Sequence, residues 1–199
     1  MDPAWNAVLL VAAALCAVWL VGFLVFRGPD WARILALCVG SAVAYGIVHD
    51  QITARVSIEY FTIGHPRLFA TDEPTPHALA WGVIATWWVG LLLGIPLAIA
   101  ARRGGQPRLA ARDLLRPIGV LLVAMALCAL LGAAIGRFGA ERHWFGLFGD
   151  LRERVPLEKQ VAFMTAGGAH GASYLVGFVG GVVLIVRTWR RRARLAPQT

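Results

Sequence analysis

The chain has 199 residues, of which 58% are hydrophobic and only 15% charged, and its mean hydropathy is +0.66. This composition excludes an ordinary soluble domain and indicates an integral membrane protein. The formal net charge of +8 is of the size found in nucleic-acid-binding proteins. Membrane topology accounts for that charge, however, so we expect the lipid bilayer and no nucleic acid among the partners.

The apolar residues are gathered into five runs, each close to the roughly 20 residues that a helix needs to cross a bilayer. The runs are continuous rather than alternating, which favours helices over barrel strands. We therefore predict an all-α fold in which residues 1–199 form one polytopic membrane helix bundle. The predicted spans are 4–26, 31–49, 78–101, 114–136 and 161–186.

The first run, 4–26, has a signal peptide as its alternative interpretation. Its leading residues Met1, Asp2 and Pro3 carry no positive charge, whereas a signal peptide begins with a basic region. The run is also longer than the apolar region of a usual signal peptide. We therefore predict that it is retained as a transmembrane helix.

The arginines predict an orientation, because basic residues beside short spans are retained on the cytoplasmic side. With the N-terminus outside, the cytoplasmic segments 27–30, 102–113 and 187–199 and the adjoining helix ends carry twelve arginines against two acidic residues. The outer loops 50–77 and 137–160, with the N-terminus, carry seven basic against nine acidic residues. We predict an outer N-terminus and a cytoplasmic C-terminus. The bias of 18 arginines to one lysine, together with the size, favours a bacterial-type plasma membrane.

A polar stripe runs along the second span. Ser41, Tyr45 and His49 recur every four residues, so they share one helix face. In lipid such a face should be turned toward protein rather than hydrocarbon. We therefore expect His49 to point into the bundle.

The second and fifth spans place two histidines at one depth. His49 is 16 residues from Arg33 and His170 is 17 residues from Arg187, and both arginines should lie near the cytoplasmic interface. At 1.5 Å per residue the histidines are then about 24 and 26 Å from that interface. We predict that the two imidazoles lie close together near the outer boundary of the membrane.

The segment that follows Asp50 alternates apolar and polar residues up to Tyr60, which predicts a half-buried extended segment. A short amphipathic helix is the alternative. The chain then returns through Gly64, His65 and Pro66, so that it can fold back over the outer end of the bundle. The predicted metal ligands are His49, Asp50, Glu59, His65 and His170.

Imidazole and carboxylate ligands suit a divalent metal such as zinc or iron, and an open position on the ion would activate water. A membrane metal-dependent hydrolase acting at the outer face is the function that this site predicts. No H-E-x-x-H or other fixed ligand spacing is present. Two alternatives therefore stay open: separate hydrogen-bonded histidines, and acids that pair with Arg55 and Arg67.

Two further functional classes compete with the hydrolase. Facing histidines with glycines beside them, here Gly46, Gly167 and Gly171, can hold a haem for electron transfer. The other class is a non-catalytic scaffold, assembly factor or transporter subunit that binds a membrane protein partner through its glycine-rich fifth span. The glycines of that span are Gly167, Gly168, Gly171, Gly177, Gly180 and Gly181.

Overall fold

The computed structural model describes residues 28–195, so the predicted first span, 4–26, lies outside the described residues. Within 28–195 the regular structure is entirely helical, which confirms the predicted all-α bundle. By length and composition, four stretches of the described residues can cross a membrane: α1, α3 together with α4, α5, and α7. The helices are α1 (Asp30–Val56), α2 (Glu59–Thr62), α3 (Pro74–Ile84), α4 (Trp87–Arg102), α5 (Arg112–Glu141), α6 (Asp150–Arg154) and α7 (Leu157–Leu195).

The four membrane-length stretches form two tightly packed pairs. In the first pair α1 packs against α3 and α4, and Gly46 of α1 meets Gly82 of α3. A Cβ atom built on Gly46 would lie 2.6 Å from the Gly82 carbonyl oxygen, so only glycine allows this approach. Helices in lipid associate through such close packing, because burial from water does not drive them together there.

The second pair, α5 and α7, also depends on glycine. Gly132 and Gly136 form a G-x-x-x-G motif on α5, and Gly168 of α7 packs between them. A Cβ atom on Gly132 would overlap the carbonyl oxygen of Gly168, and one on Gly136 would overlap that of Met164. The main chains of the two helices are therefore in direct contact along this crossing.

The two pairs meet at both ends of the bundle. At the end where α4 and α7 finish, which we call the arginine end, Ile34, Leu97, Ala101, Leu114 and Ile118 belong to one buried apolar cluster. At the opposite end, which we call the histidine end, α1 and α7 meet through polar and aromatic side chains. The candidate site lies at this second junction.

At the arginine end, Arg192 connects α7 with the end of α4 and the loop that follows it. Helix α7 extends to Leu195, well past the predicted end of the fifth span, and the Arg192 side chain is only 1% exposed. Its guanidinium donates hydrogen bonds of 2.7–3.0 Å to four carbonyl oxygens before α5. These carbonyls, at the end of α4 and in the loop after it, belong to Ala100, Arg103, Gln106 and Pro107.

The prediction of an extended segment after Asp50 is wrong, because α1 continues as a helix to Val56. The buried positions recur at helical spacing, whereas Ile52 and Val56 are exposed. No glycine or proline interrupts the chain between Gly46 and Gly64, and Arg55 binds the Gln51 side chain one turn earlier. The buried residues are Asp50, Thr53, Ala54 and Ser57.

Replacement of Gly132 by alanine should destabilise the bundle. The added methyl group would push α5 away from Gly168, and overpacking of this kind costs about 1–3 kcal/mol of unfolding free energy. Gly119→Ala is the matched control on the same helix, because a Cβ atom there meets nothing within 4 Å. Thermal unfolding in detergent should show a lower Tm for the first variant alone; equal Tm values would contradict the crossing.

Replacement of Arg192 by glutamine should release the loop between α4 and α5. The lost charge-assisted hydrogen bonds should lower the unfolding free energy by about 2–3 kcal/mol. Limited trypsin digestion should then cleave faster after Arg103 and Arg108 than it does in the wild type. Arg191→Gln is the control, since Arg191 is exposed, and unchanged cleavage in Arg192→Gln would show that the loop does not depend on it.

Candidate functional site

Two histidines from different helix pairs meet at the histidine end. His49 of α1 and His170 of α7 lie edge to face, with ring centroids 4.5 Å apart. The predicted closeness of the two imidazoles is therefore confirmed. His170 is nearly fully buried, with 4% of its surface exposed.

Asp50 completes a group of three candidate ligands. Its side chain follows His49 on α1, is 4% exposed, and has Oδ1 3.8 Å from Nε2 of His170. One ligand atom from each of His49, Asp50 and His170 can be chosen so that all three lie within 4.8 Å of one another. Atoms bound to one zinc ion at about 2.0–2.2 Å are roughly 3–4 Å apart, so an ion would draw these side chains inward by about 1 Å.

The Nε2 atoms of both histidines are buried and have no hydrogen-bond partner among residues 28–195. A ring nitrogen of histidine is always a donor or an acceptor, and the large majority of buried polar atoms in proteins are satisfied. Two such atoms lie beside a buried carboxylate, and the three side chains could hold a metal ion. The donor set of two imidazoles and one carboxylate is that of many catalytic zinc sites and of non-haem iron sites.

All three tyrosines of the chain border the histidine pair. The ring of Tyr60 stacks on His170 at 4.6 Å between centroids, and that of Tyr45 stacks on His49 at 5.6 Å. The ring of Tyr174 lies 5.8 Å from His170. The two imidazoles are therefore enclosed by aromatic side chains, which restrict their movement.

Ser173 and Tyr45 link the two helix pairs directly below the histidines. The Ser173 hydroxyl of α7 donates to the Tyr45 hydroxyl of α1 at 3.0 Å, and Ser173 is buried. The bond holds α1 and α7 in one register one turn from the histidines. Ser173 is thus a structural residue of the site.

Tyr60 belongs to the surroundings of the site, although the sequence pattern does not indicate it. It lies on α2, outside the membrane-length helices, and burial raises the pKa of its phenol above the ordinary value. The phenol therefore remains a hydrogen-bond donor at neutral and mildly alkaline pH. Helical periodicity could not reveal its place, because the turn after Val56 separates α2 from the register of α1.

The structure does not bring Glu59 into this group. Its carboxylate accepts a hydrogen bond of 3.0 Å from the Ser57 hydroxyl and lies 3.4 Å from the Lys159 ammonium group. Asp50 and Glu59 do not pair with Arg55 or Arg67, which was the alternative to metal binding. Arg55 binds Gln51 and Thr75, and Arg67 binds Asp72. The ion pair of Glu59 instead connects α2 with Lys159 at the start of α7.

His65 lies beside the group of three but is held by other contacts. Its Nδ1 atom is 2.8 Å from the carbonyl oxygen of Tyr60, and this bond requires the proton on Nδ1. The ring packs against Trp81 at 4.8 Å and Tyr60 at 5.0 Å. The chain therefore folds back over the histidine end as predicted, and the His65 ring packs against aromatic side chains there.

Comparison of the chain with models of protein families gives no match. Neither the curated protein sequences nor the solved structures contain a significant match. The chemistry of the site therefore has to support any functional inference by itself.

Proposed function

We propose that His49, Asp50 and His170 bind one divalent metal ion, zinc or iron, and that the protein is a membrane metal-dependent hydrolase. The observation that supports this proposal is the pair of buried Nε2 atoms without partners in the described chain, next to a buried carboxylate. Burial of an ionised carboxylate is costly unless an opposite charge compensates it. A divalent cation provides that charge and satisfies both nitrogens.

Three protein ligands are the number found in catalytic zinc sites, which keep a further position open for water. A bound ion of this kind makes water a nucleophile near neutral pH. In hydrolysis the water oxygen bonds to an electrophilic carbon or phosphorus atom, the bond to the leaving oxygen breaks, and that oxygen takes a proton. The ring of Tyr60 stacks on that of His170, so a protonated phenol side chain borders the proposed metal site.

The haem alternative is not supported by the ring geometry. In a bis-histidine haem protein the macrocycle separates the two imidazoles, which bind the iron from opposite faces. The rings of His49 and His170 are instead in edge contact, with centroids 4.5 Å apart. Tyr60 and Tyr45 occupy the stacking faces of the two rings.

The scaffold alternative rests on the glycines of the predicted fifth span, and many of these are used within the chain. Gly168 packs on α5, Gly177 and Gly180 meet Met125 and Leu121 of α5, and Gly181 meets Leu93 of α4. The close approaches that these glycines permit thus serve the bundle itself. No specific observation favours a partner helix over the hydrolase.

The metal site can be tested by elemental analysis of the purified full-length protein. We expect about one zinc or iron ion per chain in the wild type, and at least about a tenfold loss in Asp50→Asn and His170→Ala, because even the residues that support metal ligands are worth 10–100-fold in affinity. His143→Ala is the control, since His143 is exposed and lies outside the group. Its metal content should equal that of the wild type.

A second measurement separates loss of metal from loss of fold. A chelator should lower the Tm of the wild type and of His143→Ala, because an ion that binds only the folded state stabilises it, and should leave the Tm of Asp50→Asn unchanged. Sub-stoichiometric metal in the wild type would contradict the proposal. So would metal content that is the same in all the variants.

The hydrolase is further proposed to act at the outer face of the membrane. In a variant without native cysteines, Asp72→Cys near the histidine end should react with a membrane-impermeant maleimide in intact cells. Gly105→Cys near the arginine end should react only after permeabilisation, because basic flanks are retained in the cytoplasm. Both positions are exposed. The reverse labelling pattern would invert the orientation.

A further inference from the structure

A cavity of about 610 Å³ lies between the two helix pairs. Its walls come from α1, α3, α4, α5 and α7, and they are almost wholly apolar. Leu97 and Ile118 line the cavity and also belong to the apolar cluster at the arginine end. That cluster therefore borders the cavity on the side of the arginine end. The volume is within the range of about 300–1,000 Å³ that is usual for ligand sites.

The upper end of the cavity adjoins the candidate metal site. Tyr174 lines the cavity, and its ring lies 5.8 Å from that of His170. Trp81 lines it as well, 4.8 Å from the ring of His65. The indole N–H of Trp81 is buried and has no hydrogen-bond partner in the described part of the chain.

The cavity is also open to the side. Trp88 and Leu92 of α4 and Phe178 of α7 line it, yet each of these side chains is about half exposed. These helices are long and apolar enough to lie in a membrane, so the exposed rim would face hydrocarbon. A lipid tail could therefore move in from the bilayer without crossing water.

We propose that this cavity binds the hydrocarbon tail of a membrane lipid and presents the bond between its tail and its polar head to His49, Asp50 and His170. This assignment of substrate class rests on the proposed hydrolase function. The apolar walls suit the tail, the closeness of Tyr174 to His170 places the upper end of the cavity beside the candidate metal site, and the side opening suits supply from the bilayer. The apolar residues 4–26 are the competing occupant.

Photoaffinity labelling can identify the occupant. The full chain is reconstituted in vesicles of phosphatidylethanolamine and phosphatidylglycerol that include a phosphatidylglycerol with a diazirine in its acyl chain. We expect adducts on cavity residues of α4 and α7, such as Leu93 and Phe178. Ala42→Phe should lower their yield at least about fivefold, or about 1 kcal/mol of binding free energy, because the added ring occupies space that the tail needs.

Ala44→Phe is the matched control, because Ala44 is exposed on the same helix and does not line the cavity. It should leave the adducts unchanged. Adducts that spread over exposed α5 residues such as Leu130 and Leu131, with no response to Ala42→Phe, would overturn the proposal. An absence of cavity adducts in the wild type would also overturn it and would favour residues 4–26 as the occupant.

Metal content measured on the same samples separates the two proposals. Cavity adducts in a protein that binds no metal would support the tail site and reject the hydrolase. Stoichiometric metal without cavity adducts would support the metal site and reject the lipid tail. Metal retained in Ala42→Phe, with the adducts lost, would support both proposals and show that the tail site is distinct from the metal site.

Discussion

Direct contact between helix backbones is the constraint on which this bundle depends. Gly46 and Gly82 bring α1 against α3, and Gly132 and Gly168 bring α5 against α7, at distances that no Cβ atom allows. Each pair is therefore narrow, and the two pairs meet at both ends and at the contact of Gly181 with Leu93 beside the cavity. The apolar cavity between them and the polar junction above it are both consequences of this arrangement.

The candidate ligands are divided between the pairs, since His49 and Asp50 come from α1 and His170 comes from α7. The group exists only while the pairs are docked, and the Tyr45–Ser173 hydrogen bond joins the pairs beside it. A metal ion bound across the junction would join the same two helices. Folding and ligand binding would then be coupled, as they are in many metal sites.

The fold class and the meeting of His49 with His170 could be predicted because they depend on local rules. Apolar run length indicates spans, and the fixed rise of a helix converts residue counts into depth. The surroundings of Glu59 and His65 could not be predicted, because they depend on the direction of the chain after α1 ends at Val56. The burial of Arg192 depends on carbonyl groups more than 80 residues away in sequence, and a basic tail gives no sign of it.

Helix α7 connects the two ends of the bundle directly. His170, in the candidate site, and Arg192, at the loop between α4 and α5, are 22 residues apart on this one uninterrupted helix, a distance of about 33 Å. A tilt or axial shift of α7 would therefore move both together.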